Sequence, residues 1–280
     1  MTNIFRLGVL MLVTLPWSMT ATCADEPAFT VAIVPQFAPL QIYRDWTPVL
    51  AHLERSTGYH FQLRVYEQIP RFEAELAQGI PDLAYMNPYH LVMVKQAQDY
   101  RPLVRDDATR LSGVLVVQRD GPIKTLTDLN GKTVAFPSPN AFGASLYMRA
   151  LLAEKEGLKI NPVYGINHQS VYRQVMVGDA PAGGGVEATL HKEPEAVQAQ
   201  LRVIYTTPGV APHPFAAHPR VPVAAAKKIA DALLAMGGDA EGSKLLAAVL
   251  MPQPVAADYL RDYEPLLRLN LEKYAGSVGK

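Results

Sequence analysis

The side chains best suited to hold a small molecule are polar and aromatic residues placed just after predicted β-strands. Tyr85 and Asn87 follow a short apolar strand, and Tyr43 comes after the loop that ends the first strand. Ser138 and Asn140 follow another strand in the middle of the chain. Taken singly, Tyr85 could be half-buried core, and the last two could be simple helix caps. Because open α/β sheets bind ligands at the carboxyl ends of their strands, the joint pattern predicts one shared binding site.

Two predicted helix starts strengthen this interpretation. One helix follows Asn140, and another follows Asn167 and His168. The start of a helix exposes unpaired N–H groups and the positive end of the helix dipole, so it suits an anion. A neutral His168 can donate a hydrogen bond, and it is expected to gain charge in mild acid. The pattern therefore predicts an anionic ligand that binds more tightly as the pH falls from 8 to 5.5.

Motifs of covalent and metal chemistry are absent from the sequence. There is no G-x-S-x-G, no G-x-x-x-x-G-K-[ST], and no H-x-x-x-H or H-E-x-x-H among the seven histidines. The glycine run GGG at residues 183–185 is not a G-x-G-x-x-G motif. It predicts instead a backbone that closely approaches a ligand or a neighbouring helix. We therefore expect no enzyme activity, no metal site and no cofactor.

Other polar groups have simpler interpretations. Two pairs of acidic residues, Asp106 with Asp107 and Glu73 with Glu75, are expected to be solvated faces. The histidines at positions 213 and 218 lie in a proline-rich stretch, which is typical of a surface loop.

The elements that must position these groups alternate between strand and helix. Residues 29–34, 83–85 and 133–136 are apolar strands, and helical periodicity follows the first two. In the first such helix, Trp46 and Leu53 fall on one face, and Gly58 ends the helix. Strand–helix alternation predicts an α/β fold with mostly parallel sheets covered on both faces.

Composition excludes several classes of protein. The chain has 280 residues, 26 basic and 26 acidic, so no basic excess exists to hold nucleic acid. With 49% hydrophobic residues it is globular, and its length suits two lobes. No repeat or low-complexity linker separates the halves, so short strand-like hinges near residues 112 and 210 are expected.

The amino terminus has the pattern of a secretory signal. A polar start with Arg6 precedes the apolar run LGVLMLVTLPW, and small residues follow before Asp25. The run is shorter than the roughly 20 residues that span a bilayer. Cleavage after Ala24 would remove the single cysteine, Cys23, although a lipoprotein anchored at Cys23 is the alternative. The mature chain is expected in the periplasm.

The mature chain resembles the substrate-binding proteins of phosphonate, phosphite and phosphate ABC importers, which have the two-lobe type II periplasmic binding protein fold. The likeness covers residues 29–268. It rests on these ordered segments: WTPVL (46–50), TGY (57–59), DLAYMNPY (82–89), LTDLNGKTVA (126–135), Asn167-His168, LRVIYTTP (201–208) and AEG (240–242).

The resemblance carries over some binding residues. Tyr43 matches the family aromatic after the first strand, Tyr85 matches the aromatic at the end of the third, and His168 matches the histidine that approaches the anion. The family's Ser-Thr-Ser-Gly helix start, which grips phosphonate oxygens, aligns instead with residues 141–144, so Phe142 and Gly143 stand there. Losing two hydrogen bonds to a charged group could remove about 3–6 kcal/mol of binding free energy.

The acidic residue that the family uses for the amino group of aminoalkyl phosphonates aligns near His213, although Glu187 could play its part. The ligand could therefore be a phosphonate, another oxyanion or a less charged solute.

The resemblance implies a monomeric clamp with a ligand cleft between its lobes. Lobe one would comprise residues 27–112 and 213–280, and lobe two residues 113–212. The partner of the closed form would be an ABC permease, or alternatively a membrane sensor kinase or cyclase. An enzyme on the same fold is the rival from another class.

Overall fold

A computed structural model describes residues 28–276, so the expected signal segment lies outside the described residues. The strands are β1 (Ala28–Ile33), β2 (His60–Arg64), β3 (Leu83–Tyr85), β4 (Arg101–Asp106), β5 (Gly113–Gln118), β6 (Thr133–Phe136), β7 (Asn161–Tyr164), β8 (Ala182–Val186), β9 (Leu201–Thr206), β10 (Pro214–Ala217) and β11 (Pro254–Ala256). The α-helices are α1 (Pro39–Thr57), α2 (Ile69–Ala77), α3 (Pro88–Gln98), α4 (Tyr147–Glu154), α5 (His168–Val177), α6 (Glu187–His191), α7 (Glu195–Gln198), α8 (Val223–Met236), α9 (Ala240–Ala248) and α10 (Tyr259–Asp262).

These strands form two sheets. The first has the order β11-β4-β10-β3-β1-β2, and the second has the order β7-β6-β8-β5-β9. We call the first sheet with its helices the first lobe, and the second sheet with its helices the second lobe. The α/β composition agrees with the sequence analysis.

The expectation of mostly parallel sheets is wrong, because both sheets are mixed. In the first sheet β1 pairs in parallel with β2 and β3, whereas β10 and β11 are antiparallel to their neighbours. In the second sheet β5 is antiparallel to both β8 and β9. The reason is topological: the chain leaves the first sheet, builds the second, and returns through β10 in the opposite direction.

Two chain crossings connect the lobes, between β4 and β5 and between β9 and β10. They pair with each other through an antiparallel bridge, in which Leu111 N donates to Val210 O at 2.9 Å and Val210 N donates to Leu111 O at 3.1 Å. The paired crossings are short, and this bridge holds them side by side.

Helix α1 shows how local sequence determines an element. Pro39 occupies its first turn, where the missing N–H is not needed. Trp46 and Leu53 are buried on one face, and Gly58 ends the helix with a φ of 71°. A residue with a side chain would be strained there, so the glycine stop is physically required.

The glycine run forms β8, and close packing explains it. A Cβ atom on Gly183 would lie 2.5 Å from Val171 Cγ1, and one on Gly185 would lie 2.0 Å from Tyr172 Oη. Both partners belong to α5. The expected approach to a neighbouring helix is confirmed.

Strand β10 corrects the prediction of a proline-rich surface loop. Residues Pro214–Ala217 are buried between β3 and β4. His213, which enters this strand, is buried, and the half-buried His218 packs edge-on against Tyr100 at 5.1 Å between ring centroids. Pro214 fits because it is the first residue of the strand.

The helix predicted after Asn140 does not begin as a regular α-helix. A π-helical segment, Phe142–Leu146, precedes α4. Farther upstream, a one-turn 3₁₀ helix (Leu126–Leu129) has Thr125 as its N-cap. None of the helices within residues 28–276 is long and apolar enough to cross a membrane.

Candidate ligand-binding cleft

Two cavities lie between the lobes, and we call them connected because they share four lining residues. The smaller, which we call the inner cavity, has a volume of about 10 Å³ and is lined by residues of both lobes, among them Asn87, Phe142 and His168. The larger, the hinge chamber, measures about 220 Å³ and lies beside the crossings. Four residues line both cavities: Gln36, Leu111, Val186 and His213.

Tyr85 forms a wall of the hinge chamber at the end of β3. Its ring lies between two aromatic neighbours, with Trp46 at 5.0 Å and His213 at 5.4 Å between centroids. Burial, together with the negative charge of Asp106, raises the pKa of the Tyr85 phenol. Tyr85 therefore enters the cleft as a neutral hydroxyl on a rigid aromatic stack.

Asn87 and Asn140 join the lobes. Asn87 caps α3 by accepting from His90 N at 2.8 Å, and its Nδ2 donates to Asn140 O at 3.1 Å. The side chain of Asn140 is also engaged, because Nδ2 donates to Glu73 Oε2 at 3.2 Å and Oδ1 accepts from Gly276 N at 2.8 Å. The amide of Asn140 therefore holds the two lobes and the C-terminal segment together.

The acidic pairs are not solvated faces, and that prediction is wrong for three of their four residues. Glu73 is only 4% exposed, and its Oε1 accepts from His90 Nε2 at 2.8 Å. Glu75 is also buried, and its Oε2 accepts from Arg64 at 2.6 Å. Asp106 is buried and accepts from Gln253 N at 2.9 Å. Each carboxylate is buried because a specific donor compensates its desolvation.

Phe142 and Gly143 begin the π-helical segment and form the second-lobe wall of the inner cavity. The ring of Phe142 is 2% exposed, stacks on Tyr147 at 5.5 Å and faces Tyr89 of the first lobe at 6.5 Å. It belongs to the hydrophobic cluster of the first lobe. The inner cavity therefore has room for about one water molecule.

His168 is the first residue of α5. Asn167 caps this helix by accepting from Ser170 N at 2.9 Å, and Ser170 Oγ donates back to Asn167 O at 2.8 Å. Nδ1 of His168 lies 3.2 Å from Thr189 Oγ1. Burial lowers the pKa of His168 to about 3. The expected gain of charge in mild acid is therefore wrong, because the buried imidazole stays neutral at pH 5.5.

His213 behaves in the same way. Burial, and then repulsion from His90 and His168, lower the pKa of His213 to about 3. Both histidines can offer hydrogen bonds to a ligand but no positive charge.

Acid should destabilise the folded chain through these two histidines. Their ordinary pKa is 6.5, so below that pH the unfolded chain takes up protons that the folded chain cannot accept until about pH 3. The stabilisation is complete above pH 6.5 and is lost as the pH falls towards 3. Urea unfolding at pH 8, 6 and 4.5 should show this decline, and the slope should be shallower in H168Q.

The exposed His191 supplies the matched control for that experiment, since H191Q should keep the wild-type slope. An H168Q protein that loses stability in acid as steeply as the wild type would contradict the neutral burial of His168.

Besides Asn140, which joins the lobes without lining either cavity, three predicted site residues lie away from the two cavities. Tyr43 is 56% exposed on α1, and Glu187 is exposed at the start of α6. Ser138 is buried, and its Oγ has no hydrogen-bond partner among the described residues. None of the three lines the inner cavity or the hinge chamber.

Gln36 is a cleft residue that the sequence analysis missed. It is buried and lines both cavities. The available signal was its position, because Gln36 and Pro35 directly follow the first strand. An amide here can both donate to and accept from a ligand.

The charges of the cleft are confined to the hinge chamber. Among the described residues that line the inner cavity, none is an acid, a lysine or an arginine. Arg110, on the first crossing, and Lys192, which follows α6 in the second lobe, both line the hinge chamber. The arrangement suits non-covalent capture by hydrogen bonds, apolar contact and two positive charges.

Comparisons with known proteins agree with this geometry. A family model described as "ABC transporter, phosphonate, periplasmic substrate-binding protein" matches residues 31–263. The fold is similar to that of a binding protein component of an ABC phosphonate transporter from Pseudomonas aeruginosa, with a TM-score of 0.80 and 16% identity over 88% of this chain and 86% of that chain.

Two further structures share the fold. PhnD1 from Prochlorococcus marinus, in complex with methylphosphonate, gives a TM-score of 0.78 and 12% identity over 87% of this chain and 97% of that chain. The VFT2 domain of BvgS from Bordetella pertussis gives a TM-score of 0.54 and 20% identity over 81% of this chain and 94% of that chain. At these identities the likeness concerns the fold alone, and it does not favour a sensing role. The two-lobe type II periplasmic binding fold is therefore confirmed, and the family match settles the wider assignment: the chain belongs to the family of periplasmic substrate-binding proteins of phosphonate ABC transporters.

Proposed function

We propose that this protein captures a small anionic solute between its two lobes and delivers it, chemically unchanged, to an ABC permease. The observation that carries the proposal is the convergence of groups from both lobes on the connected cavities. The first lobe contributes Tyr85 and Gln36, and the second crossing contributes His213. The second lobe contributes His168 and the segment around Phe142.

The proposed movement is a hinge closure. We take the lobes as residues 27–112 with 213–280 and residues 113–212, and the paired crossings as the hinge. Support comes from contacts that join the lobes away from the hinge. Gln169 Nε2, on α5, donates to Gln41 Oε1, on α1, at 3.3 Å, and Asn87 donates to Asn140. A ligand that contacts both lobes would stabilise this closed arrangement.

The ligand is proposed to be a phosphonate-like oxyanion. The family match and the methylphosphonate-bound relative support this class. In the proposal, Tyr85, Asn87, His168 and His213 supply polar contacts, and Phe142 and Gly143 form the closing wall. Tyr43, Ser138 and Glu187 are left out because they do not line the cavities, and Asn140 serves the lobe contacts.

The remaining parts of the proposal concern export and assembly. Residues 1–24 would be a cleaved signal, and the mature protein would act as a monomer in the periplasm, without a cofactor. The permease, not a membrane sensor, is proposed as the partner because the family consists of importer components.

Ligand binding can be tested by thermal shift and isothermal titration of protein purified from the periplasm. The probes are methylphosphonate, phosphite, phosphate and sulfate, with glycerol as the uncharged comparison. A true ligand at 100 times its dissociation constant should add about 2.7 kcal/mol of stability. Q36M, which removes the cleft amide at similar volume, should weaken binding about tenfold, or about 1.4 kcal/mol.

The exposed Gln62 on β2 offers the matched control, because Q62M should bind as the wild type does. Phosphorus NMR of the incubated mixture should show the ligand unchanged. Failure of all four oxyanions to bind, or a new phosphorus resonance, would overturn the proposed function.

A further inference from the structure

We propose that the hinge chamber receives the organic part of the ligand and that it selects an organic oxyanion without an ammonium group. This inference rests on the proposed function and adds the substrate class. Three properties of the hinge chamber support this inference: its volume, its apolar lining residues and its charges.

The volume decides where a solute larger than water can lie. The inner cavity of about 10 Å³ is closed by the Phe142 ring, whereas the hinge chamber measures about 220 Å³. The hinge chamber is about twenty times larger than the inner cavity, which holds about one water molecule, so the chamber has room for a solute of several heavy atoms. It is the only one of the two connected cavities that accommodates an alkyl chain.

One wall of the hinge chamber is apolar. Leu111, Val186, Pro212, Leu250 and Pro252 line it. An alkyl or aryl group is stabilised against such a surface by about 0.8 kcal/mol for each CH₂ removed from water. Tyr85 and His213 also line the chamber, and their stacked rings, 5.4 Å apart between centroids, offer a flat aromatic face.

The charges exclude an ammonium group. Arg110 and Lys192 both line the hinge chamber, and no aspartate or glutamate does so in the described part of the chain. Lys192 Nζ already lies 3.2 Å from Ala247 O at the end of α9, and Arg110 Nη2 lies 3.0 Å from Gly209 O. A cation placed between them would meet two like charges and no carboxylate, whereas an oxyanion would meet two opposite charges.

A matched ligand pair tests this selection. Butylphosphonate and 3-aminopropylphosphonate have chains of equal length, and only the second ends in an ammonium group. Isothermal titration of the full mature protein should show at least tenfold tighter binding of butylphosphonate. Equal affinities, or tighter binding of 3-aminopropylphosphonate, would overturn the inference.

Three variants locate the selection in the hinge chamber. K192M should weaken butylphosphonate binding about tenfold, while K244M, at an exposed lysine on α9, should not change it. A247E adds a carboxylate to the exposed end of α9, which lines the chamber, and should shift the preference towards 3-aminopropylphosphonate. If K192M and A247E both behave as the wild type, the inference fails.

The outcomes also separate this inference from the proposed function. A protein that binds methylphosphonate but shows neither the pair preference nor the variant effects keeps the proposed function and loses the inference. A protein that binds none of the phosphonates, phosphate or sulfate loses both.

Discussion

Replacing Gly184 by alanine is expected to lower the free energy of unfolding by about 3 kcal/mol, because the added methyl group has no space. A Cβ at this position would lie 2.1 Å from the backbone oxygen of Ala144 and 2.5 Å from a ring carbon of Phe136. Ala144 belongs to the π-helical segment that forms the cleft wall, so G184A should also weaken ligand binding. Urea unfolding and isothermal titration measure the two effects.

Gly238 provides the control for this substitution. A Cβ there would lie 3.3 Å from its nearest neighbour, Ala235 O, and the backbone does not have a positive φ. G238A should therefore stay within about 0.5 kcal/mol of the wild type. If G184A is equally mild, the packing of β8 against the π-helical segment is not as tight as the structure shows.

Truncation of Trp46 should cost about 3–5 kcal/mol, the range for a large aromatic residue removed from a core. The Trp46 side chain is buried on α1 and packs against Tyr85 at 5.0 Å and Phe215 at 6.2 Å between ring centroids. Its loss leaves a void behind the Tyr85 wall. W46A should therefore reduce both the unfolding free energy and the affinity for methylphosphonate.

Two further substitutions make the Trp46 prediction specific. W46F keeps an aromatic ring behind Tyr85 and should recover part of both losses. V223A removes an exposed apolar side chain, 76% exposed at the start of α8, and should have little effect. A W46A protein with wild-type stability but weakened binding would show that Trp46 acts on the ligand and not on the core.

Local elements were largely predictable from the sequence. The apolar face of α1 and its glycine stop depend only on periodicity and on the φ that glycine tolerates. The N-cap of α9 is similarly local, because Asp239 accepts from Gly242 N at 2.7 Å. In each case the decisive contact is made within a few residues of sequence.

Strand direction and burial of polar groups were not predictable in this way. β10 looked like a proline-rich loop, and it lies inside the first sheet because the returning chain pairs with β3 and β4. Glu73 looked solvated, but His90 and Asn140 compensate its charge from positions distant in sequence. No pattern within either segment records such a partner.

The residues of the candidate site were likewise only partly predictable from local sequence. The sequence predicted Tyr85, Asn87 and His168 as groups near one ligand from their places at strand ends, and the resemblance added the segment around Phe142. It assigned His168 the wrong charge state, because burial controls that pKa.

The sequence by itself determined the periodic elements, the family and most of the residue types that face the cleft, because these depend on local spacing and on ordered motifs. Only the tertiary structure decided that Phe142 closes the inner cavity, that Gln36 and Lys192 line the open space, and that the buried histidines are neutral. The physical reason is that volume, desolvation and charge pairing arise between residues far apart in the chain, after both lobes have packed together.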